Sequence, residues 1–154
     1  GGKGVFPNLT VEENLKIAGW LYRKDAEYLK QATEQVLTYF PVLRDRWEQP
    51  AGNLSGGEQQ MLTLSMAFIA KPRLLMIDEL SLGLAPAVVD QLCDALRRLN
   101  RDGLTLLVVE QDVATALELA RDCNVMDTGR IVRSGASEAL RDDPAIKEAY
   151  LGVI

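Results

Sequence analysis

Two adjacent carboxylates close a short apolar run near the middle of the chain. The run is LLMI, residues 74–77, and Asp78 and Glu79 follow it directly. Its length and composition predict a strand buried on both faces, and open α/β sheets bind ligands at the carboxyl ends of such strands. One carboxylate there can hold Mg²⁺, and the next can orient or deprotonate an attacking water. The alternative is a strand that simply ends in a polar loop.

A serine and two glycines stand at the start of a long apolar helix pattern. Residues 54–58 read LSGGE. A helix start presents unpaired N–H groups with partial positive charge, and glycines let a ligand come close to the backbone. Ser55, Gly56 and Gly57 could therefore hold a phosphate oxygen, with Glu58 beside them. The alternative is that Ser55 caps the helix and the glycines form a turn. Because the Mg²⁺-type strand end follows in the same stretch, the two motifs together favour phosphate chemistry.

The elements that must position these residues follow from caps, breakers and periodicity. The capping box of Thr10 and Glu13 opens the first helix, and Pro86 fits the first turn of another. Helices are predicted over residues 10–19, 25–40, 55–70, 86–100, 112–121, 138–141 and 145–150, strands over 74–78 and 104–110, and an edge hairpin over 124–135. Residues 42–53 are predicted to be irregular. Strands that alternate with helices favour an α/β fold with a parallel sheet and crossover helices.

The composition excludes several classes of protein. The 154 residues are 47% hydrophobic and 25% charged, as in an ordinary soluble domain. A formal net charge of −5 argues against a nucleic-acid partner. Cys93 and Cys123 lack metal-ligand spacing and the chain has no histidine, so reduced thiols are expected. No apolar run reaches the roughly 18 residues of a membrane span, and no signal peptide is visible, so we expect an intracellular protein.

Taken together, the motifs resemble those of the ATP-binding-cassette (ABC) family. LSGGE is similar to the family's signature motif, and LLMIDE is similar to its Walker B strand with the adjoining glutamate. SLGLAP, residues 81–86, falls where the family has its D-loop, and VVEQD, residues 108–112, falls at its switch residue. The closest similarity of four stretches, VFPNLTVEENL, SLGLAP, VVEQ and EAYLG, is to the sequences of cytoplasmic ATPase subunits of branched-chain amino-acid importers.

The resemblance implies a P-loop NTPase fold, a parallel sheet with flanking helices plus an α-helical subdomain. It implies ATP and Mg²⁺ as cofactors. The partners would be transmembrane permease subunits and a second ATP-binding subunit, paired head to tail, at the inner face of the cell membrane. Seven residues receive roles. Ser55, Gly56 and Gly57 would contact the γ-phosphate of the opposing subunit's ATP, and Glu58 would belong to the same nucleotide-binding stretch. Asp78 would hold Mg²⁺, Glu79 would be the general base, and Gln111 would be the switch residue near the γ-phosphate. Many family members carry histidine at the switch; glutamine can hydrogen-bond there but cannot take on a proton.

The sequence also departs from the family pattern. The 154 residues contain no G-x-x-x-x-G-K-[ST] phosphate loop, and GGKG at residues 1–4 has no preceding strand. We therefore expect the C-terminal portion of a cassette, with a loop over 1–9 at a truncated start, a helical subdomain over 10–60 that ends in the signature, core over 61–134 and C-terminal helices over 135–154. Leu80 stands where proline is usual, and Met66 where arginine is usual.

Two main hypotheses follow. The chain is either the C-terminal portion of an importer ATPase, with its helical part facing the permease, or an interaction module derived from a cassette and without its own ATP site. A cassette of DNA repair or translation is disfavoured by the acidic charge. Without a phosphate loop, the chain alone is expected to bind ATP poorly, to hydrolyse none and to associate.

Overall fold

The computed structural model of the chain describes residues 4–148. In that range the chain forms two compact units that interleave along the sequence, one from residues 4–75 and 84–106 and the other from residues 76–83 and 107–148. The start of the GGKG stretch and most of EAYLG lie outside the described residues. The linear boundaries predicted at residues 9, 60 and 134 stay a prediction.

The first unit is mainly helical. Its helices are α1 (Val11–Ala18), α2 (Ala26–Tyr39), α3 (Val42–Asp45), α4 (Gly56–Ile69) and α5 (Pro86–Arg101), with 3₁₀ turns at Trp20–Tyr22 and Ala51–Asn53. The capping box of Thr10 and Glu13 forms as predicted, and Pro86 is in the first turn of α5. The four long predicted helices are confirmed to within two residues at each end.

One prediction for this unit was wrong. Residues 42–53 were expected to be irregular, but they contain α3 and the second 3₁₀ turn. Pro41 ends α2 and at the same time provides the N-cap of α3, because its φ of −58° and ψ of −29° are already helical. Leu43 in α3 and Ala51 in the turn are fully buried, so tertiary packing orders a segment whose local signals are weak.

A buried asparagine fixes the chain before α1. Asn14 is 0% exposed, and its Oδ1 accepts from the backbone N–H of Phe6 at 2.8 Å. Its Nδ2 lies within hydrogen-bond distance of three carbonyl oxygens, those of Thr10 at 2.8 Å, Phe6 at 3.1 Å and Leu9 at 3.2 Å. A buried amide with this many partners stabilises one conformation of the loop. The predicted loop is therefore ordered from residue 6 onward by α1.

The core of the first unit forms around α4. This helix packs against α1, α2 and α3 and buries Met61, Leu62, Leu64, Ser65 and Ile69. Helix α5 buries an apolar stripe at helical spacing, formed by Leu92, Cys93, Ala95, Leu96 and Leu99.

Two strands form the predicted parallel pair. They are β1 (Leu74–Asp78) and β2 (Thr105–Val109), and they share one two-stranded sheet. Thr105 N donates to Arg73 O at 3.4 Å at one end, and Glu79 N donates to Val109 O at 2.8 Å at the other, so both strands run in the same direction. Helix α5 is the crossover between them. The parallel sheet with helical crossover is confirmed.

The predicted burial of β1 on both faces was wrong. Leu75 and Ile77 are buried, but Leu74 is 49% exposed and Met76 is 69% exposed. Leu107 and Val109 of β2 are exposed as well. Among residues 4–148 nothing covers these side chains, and burial depends on the covering element as much as on the strand's own sequence.

The second unit contains the predicted hairpin. Strands β3 (Asp122–Asp127) and β4 (Arg130–Ala136) pair antiparallel around Thr128 and Gly129, whose φ angles of 47° and 74° suit a tight hairpin turn. In the described residues the hairpin is a separate two-stranded sheet and not an edge of the β1–β2 sheet, which corrects the prediction. Helices α6 (Val113–Leu119), α7 (Ser137–Asp142) and α8 (Pro144–Ile146) accompany it. The predicted helix over residues 145–150 reaches beyond the described range.

Candidate functional site

The carboxyl ends of β1 and β2 lie side by side. Asp78 is the last residue of β1 and is exposed, and Glu79 follows it, half-buried. The φ of Glu79 is +53°, a left-handed conformation that is unfavourable for a residue with a side chain. Such backbone strain, about 1–3 kcal/mol, is found most often at ligand-binding and active sites. The chain therefore turns sharply where the sequence placed its two carboxylates.

The structure brings two of the predicted residues into direct contact. Gln111 follows β2 after one intervening residue, and its Nε2 donates a short hydrogen bond to Oε1 of Glu79. Both belong to the second unit. The pairing holds the predicted general base against the predicted switch residue, and Asp78 directly precedes Glu79 in sequence.

Glu110 is a site residue that sequence reasoning missed. Its Oε1 accepts from the backbone N–H of Ser81 at 2.7 Å, and its Oε2 accepts from the Ser81 hydroxyl at 2.8 Å. The position of Glu110 between the strand end and Gln111 was visible in VVEQD. Nothing in the sequence indicated a partner 29 residues away.

Leu80 lies inside the loop that carries these contacts. Its side chain is 1% exposed, whereas Leu82, two residues later, is 67% exposed. The residue that departs from the family's proline is therefore a buried anchor of the loop between Glu79 and Ser81.

At the signature stretch, the capping interpretation of Ser55 is correct. Ser55 is the N-cap of α4: its Oγ accepts from Glu58 N at 3.3 Å, and its own N–H donates to Glu58 Oε2 at 2.8 Å. Arg46 adds an ion pair to Glu58 at 3.7 Å. Glu58 is thus occupied in the cap. A cap does not exclude a ligand, because the remaining N–H groups of the first turn still point outward from the helix start.

The two glycines of the signature differ in their surroundings. A Cβ on Gly57 would lie 2.6 Å from Cγ1 of Val88 in α5, so packing of α4 on α5 requires this glycine. A Cβ on Gly56 would meet only Cδ2 of Leu84, at 3.9 Å, which is an ordinary contact. Neither glycine has a positive φ. Packing therefore accounts for Gly57, but nothing within residues 4–148 accounts for Gly56.

The donor atoms at the strand ends suit a hard cation. Carboxylate oxygen is the protein ligand that Mg²⁺ prefers, and Mg²⁺ commonly takes one or two carboxylates and completes its shell with water and phosphates. Asp78 offers such an oxygen in an exposed position. Within residues 4–148 no group of three or more His, Cys, Asp or Glu side chains could hold a metal ion, so an all-protein cage is absent from that part of the chain. Asp78 is thus suited to supply one ligand of a cation whose other ligands come from water or a phosphate.

Comparison with known proteins identifies the family of the chain. The sequence profile of the family described as ABC transporter matches residues 2–81. The chain belongs to the ABC transporter family. The matched range includes LSGGE and LLMIDE, so the resemblance of these stretches to the ABC signature and Walker B strand is a family relationship.

Two curated relatives in the ABC family have names that specify branched-chain amino acid transport. The chain is 46% identical over 151 residues to a high-affinity branched-chain amino acid transport ATP-binding protein, BraG, of Pseudomonas aeruginosa, and it covers 64% of that protein. It is 38% identical over 151 residues to a probable branched-chain amino acid transport ATP-binding protein, LivF, of Archaeoglobus fulgidus, and covers 63% of it. In both comparisons at least 97% of this chain takes part. The chain therefore spans slightly less than two thirds of these relatives.

Solved structures confirm the ABC ATPase fold. The fold is similar to the ADP conformation of an ATP-binding cassette of an ABC transporter, with a TM-score of 0.76 at 25% identity, over 95% of this chain and 64% of that one. No helix in the described residues of this ABC chain is long and apolar enough to cross a membrane. The roles of the seven site residues are not decided by these likenesses and stay predictions.

Proposed function

We propose that the chain is the C-terminal portion of the ATP-hydrolysing subunit of an ABC importer for branched-chain amino acids. The contact of Gln111 with Glu79 at the carboxyl ends of two parallel strands carries the proposal, because it joins a base and a hydrogen-bonding amide where a water could be activated. Support for the substrate class comes from the relatives, whose names specify branched-chain amino acid transport.

The proposed chemistry assigns a separate task to each residue. Asp78 binds the Mg²⁺ that neutralises phosphate charge, and Glu79 accepts the proton of the attacking water. Gln111 occupies one oxygen of Glu79 and must release it to orient water or phosphate. An amide donates and accepts hydrogen bonds without changing charge, so this switch works by position and not by protonation.

The signature stretch would serve a second subunit. The N-terminus of α4, with Ser55, Gly56 and Gly57, faces the γ-phosphate held by that subunit, in a head-to-tail pair. Glu58 supports this arrangement indirectly, because it holds Ser55 in place. The helical part of the chain contacts permease subunits at the inner face of the membrane, so that the protein is peripheral and cytoplasmic. No nucleic acid takes part.

A second candidate is an interaction module that does not hydrolyse ATP. It is favoured by Leu80 and Met66, which stand where the family usually has proline and arginine.

One experiment separates the two candidates. The chain is joined to the part of the P. aeruginosa relative that it does not match, and Mg²⁺-dependent ATPase activity of this completed cassette is measured beside a Glu79→Gln version. We expect turnover in the first, and a rate lower by a factor on the order of 10²–10⁴ in the second. A folded cassette that stays silent would contradict the ATPase proposal and favour the interaction module. The isolated chain, as its control, is expected to show no turnover.

A further inference from the structure

We propose that Glu110 is a positioning residue that locks the loop after the general base to the loop that carries the switch glutamine. The inference rests on the proposed function and adds to it a residue that neither the family motifs nor the relatives' names assign. Its role is to hold Glu79 and Gln111 at contact distance, without touching nucleotide itself.

The geometry of Glu110 is that of a two-point clamp. Both of its carboxylate oxygens are used, one by the backbone N–H of Ser81 at 2.7 Å and the other by the hydroxyl of the same residue at 2.8 Å. Hydrogen bonds to an ionised acceptor are short and strong, and two parallel bonds fix orientation as well as distance. Both residues are half-buried, so water competes less for these bonds than at an open surface.

The clamp is part of a continuous set of contacts between two short segments. Val109 O accepts from Glu79 N at 2.8 Å, Glu110 holds Ser81, and Gln111 reaches back to Glu79. Val109 at the end of β2 and the two residues that follow it thus bind the residues on either side of Leu80, whose side chain is buried. We call residues 79–81 and 109–111 the paired loops.

This arrangement makes Glu110 the outer anchor of the paired loops. On the N-terminal side of Glu79, its own N–H donates to Val109 O. On the C-terminal side, two residues later, Glu110 accepts from Ser81. Glu79 holds a left-handed φ of +53° between these anchors. Because such a conformation persists only when its surroundings enforce it, loss of the outer anchor allows Glu79 to relax and to withdraw from Gln111.

A carboxylate at residue 110 adds negative charge beside Asp78, Glu79 and Asp112. An uncharged side chain would anchor the loop without adding charge to this acidic strand end, so the presence of glutamate at residue 110 requires an explanation. The reason we infer is that Ser81 presents two donors from one residue, and a carboxylate accepts both at once. Glutamine at this position would keep an uncharged oxygen for the N–H, but its NH₂ group would have to donate to the Ser81 hydroxyl and not accept from it, and aspartate is one methylene shorter.

The first test uses the chain as it stands and measures amide hydrogen exchange at Ser81. Glu110→Ala should accelerate exchange of this amide by about tenfold or more, while amides of α4 and α5 keep their protection. Glu138→Ala is the matched control, since Glu138 is an exposed glutamate of α7 in the same unit. Equal exchange at Ser81 in the wild type and Glu110→Ala would overturn the clamp.

The second test measures steady-state ATP hydrolysis by the completed cassette. In Glu110→Ala we expect kcat to fall about tenfold while KM for ATP changes by less than about twofold, since the nucleotide is not touched. Ser81→Ala, which keeps the N–H bond, should lose less, and the double variant should be no slower than Glu110→Ala alone because the two act as one unit. Glu110→Gln should have a higher kcat than Glu110→Ala, because the amide oxygen can still accept from the N–H of Ser81.

The outcomes separate this inference from the proposed function. A wild-type cassette without turnover would contradict the proposed function, and with it the catalytic purpose of the clamp. An active wild-type cassette in which Glu110→Ala keeps its kcat would overturn the positioning role alone. Strictly additive losses for Ser81→Ala and Glu110→Ala would also overturn it. Glu110→Ala already removes both hydrogen bonds to Ser81, so Ser81→Ala should have no further effect on kcat in that background.

Discussion

The amide Nε2 of Gln111 donates a hydrogen bond to Oε1 of Glu79, a residue 32 positions earlier in the chain. The contact occupies an oxygen that the proposed general base would need for a proton. It also places an uncharged partner where a histidine would form a charged pair. Both features lead to predictions for the completed cassette.

The first prediction concerns removal of the switch amide. Gln111→Ala leaves Glu79 without its partner, and we expect kcat to fall by a factor on the order of 10², with little change in KM for ATP. Steady-state ATPase measurements check this. Gln91→Ala, at an exposed position of α5, is the control and should keep its rate. Full activity of Gln111→Ala would show that the amide plays no part in turnover.

The second prediction concerns pH. Glutamine does not titrate, whereas Gln111→His introduces a group with an ordinary pKa of about 6.5. The carboxylate of Glu79 would favour the charged imidazolium and raise the pKa of the new histidine, so the pair would be closed at low pH and released as pH rises. We expect kcat of Gln111→His to increase between about pH 6 and 8 relative to wild type at the same pH. A constant ratio of the two rates over that range would contradict the switch contact.

The third prediction concerns Leu80, which stands where the family usually has proline. Because its side chain is 1% exposed, Leu80→Ala should leave a cavity and destabilise the protein by about 2–5 kcal/mol. Leu82→Ala removes the same atoms at a residue that is 67% exposed and should change stability by less than about 0.5 kcal/mol. Urea denaturation of both variants checks this. Equal midpoints would mean that Leu80 is not a packing anchor.

The fourth prediction concerns alkaline stability of the first unit. Burial raises the pKa of the Tyr28 phenol, with smaller contributions from Tyr22 and Asp25, and the hydroxyl donates to Ile69 O at 2.9 Å. Since the folded-state pKa lies above the unfolded value, this contribution is full below about pH 10 and is lost as pH rises through the folded pKa. Tyr28→Phe should lose about 1 kcal/mol at pH 8.

The control for Tyr28 is the comparison across pH. Above about pH 10 the wild type should lose stability faster than Tyr28→Phe, because only the wild type still has this phenol to ionise. Tyr39, whose pKa is also raised by burial, leaves a residual dependence in both proteins. Parallel stability curves from pH 8 to 11 would contradict the assignment.

Local signals in the sequence were sufficient for most of the helices and strands. The capping box at Thr10, the Ser55 cap and the apolar run before Asp78 depend on neighbours in sequence, and each formed where it was predicted. The contact of Glu79 with Gln111 was not predicted, although both residues were placed at the ends of two parallel strands, whose carboxyl ends share an edge.

The remaining features depend on the fold and could not be read from local sequence. The clamp of Glu110 on Ser81 joins residues 29 positions apart, and no spacing rule connects them. The exposure of Leu74 and Met76 depends on what covers the sheet, and an apolar strand looks the same whether or not it is covered. Segment 42–53 is ordered by the burial of Leu43, which tertiary packing decides.

The last prediction concerns the two glycines of the signature, of which Gly57 is required by packing and Gly56 is not. Gly57→Ala would place a Cβ 2.6 Å from Cγ1 of Val88, so we expect a loss of about 1–3 kcal/mol from overpacking. Val88→Ala in the same chain removes the clash and should recover much of that loss. Gly56→Ala meets only Leu84, at 3.9 Å, and should fold with unchanged or slightly higher stability, because alanine restricts the unfolded chain more than glycine.

Gly56→Ala should therefore keep its stability but bind the second subunit less well, whereas Gly57→Ala should lose stability. If a phosphate of a second subunit comes close to the start of α4, the methyl group of Gly56→Ala obstructs it while the fold is intact. ATP-dependent dimerisation of the completed cassette, measured by light scattering in a Glu79→Gln background, should be weakened by Gly56→Ala and unchanged by Gln91→Ala, at an exposed position of α5. Normal dimerisation of a stable Gly56→Ala protein would mean that no ligand approaches this helix start, and Ser55 would then be a cap and nothing more.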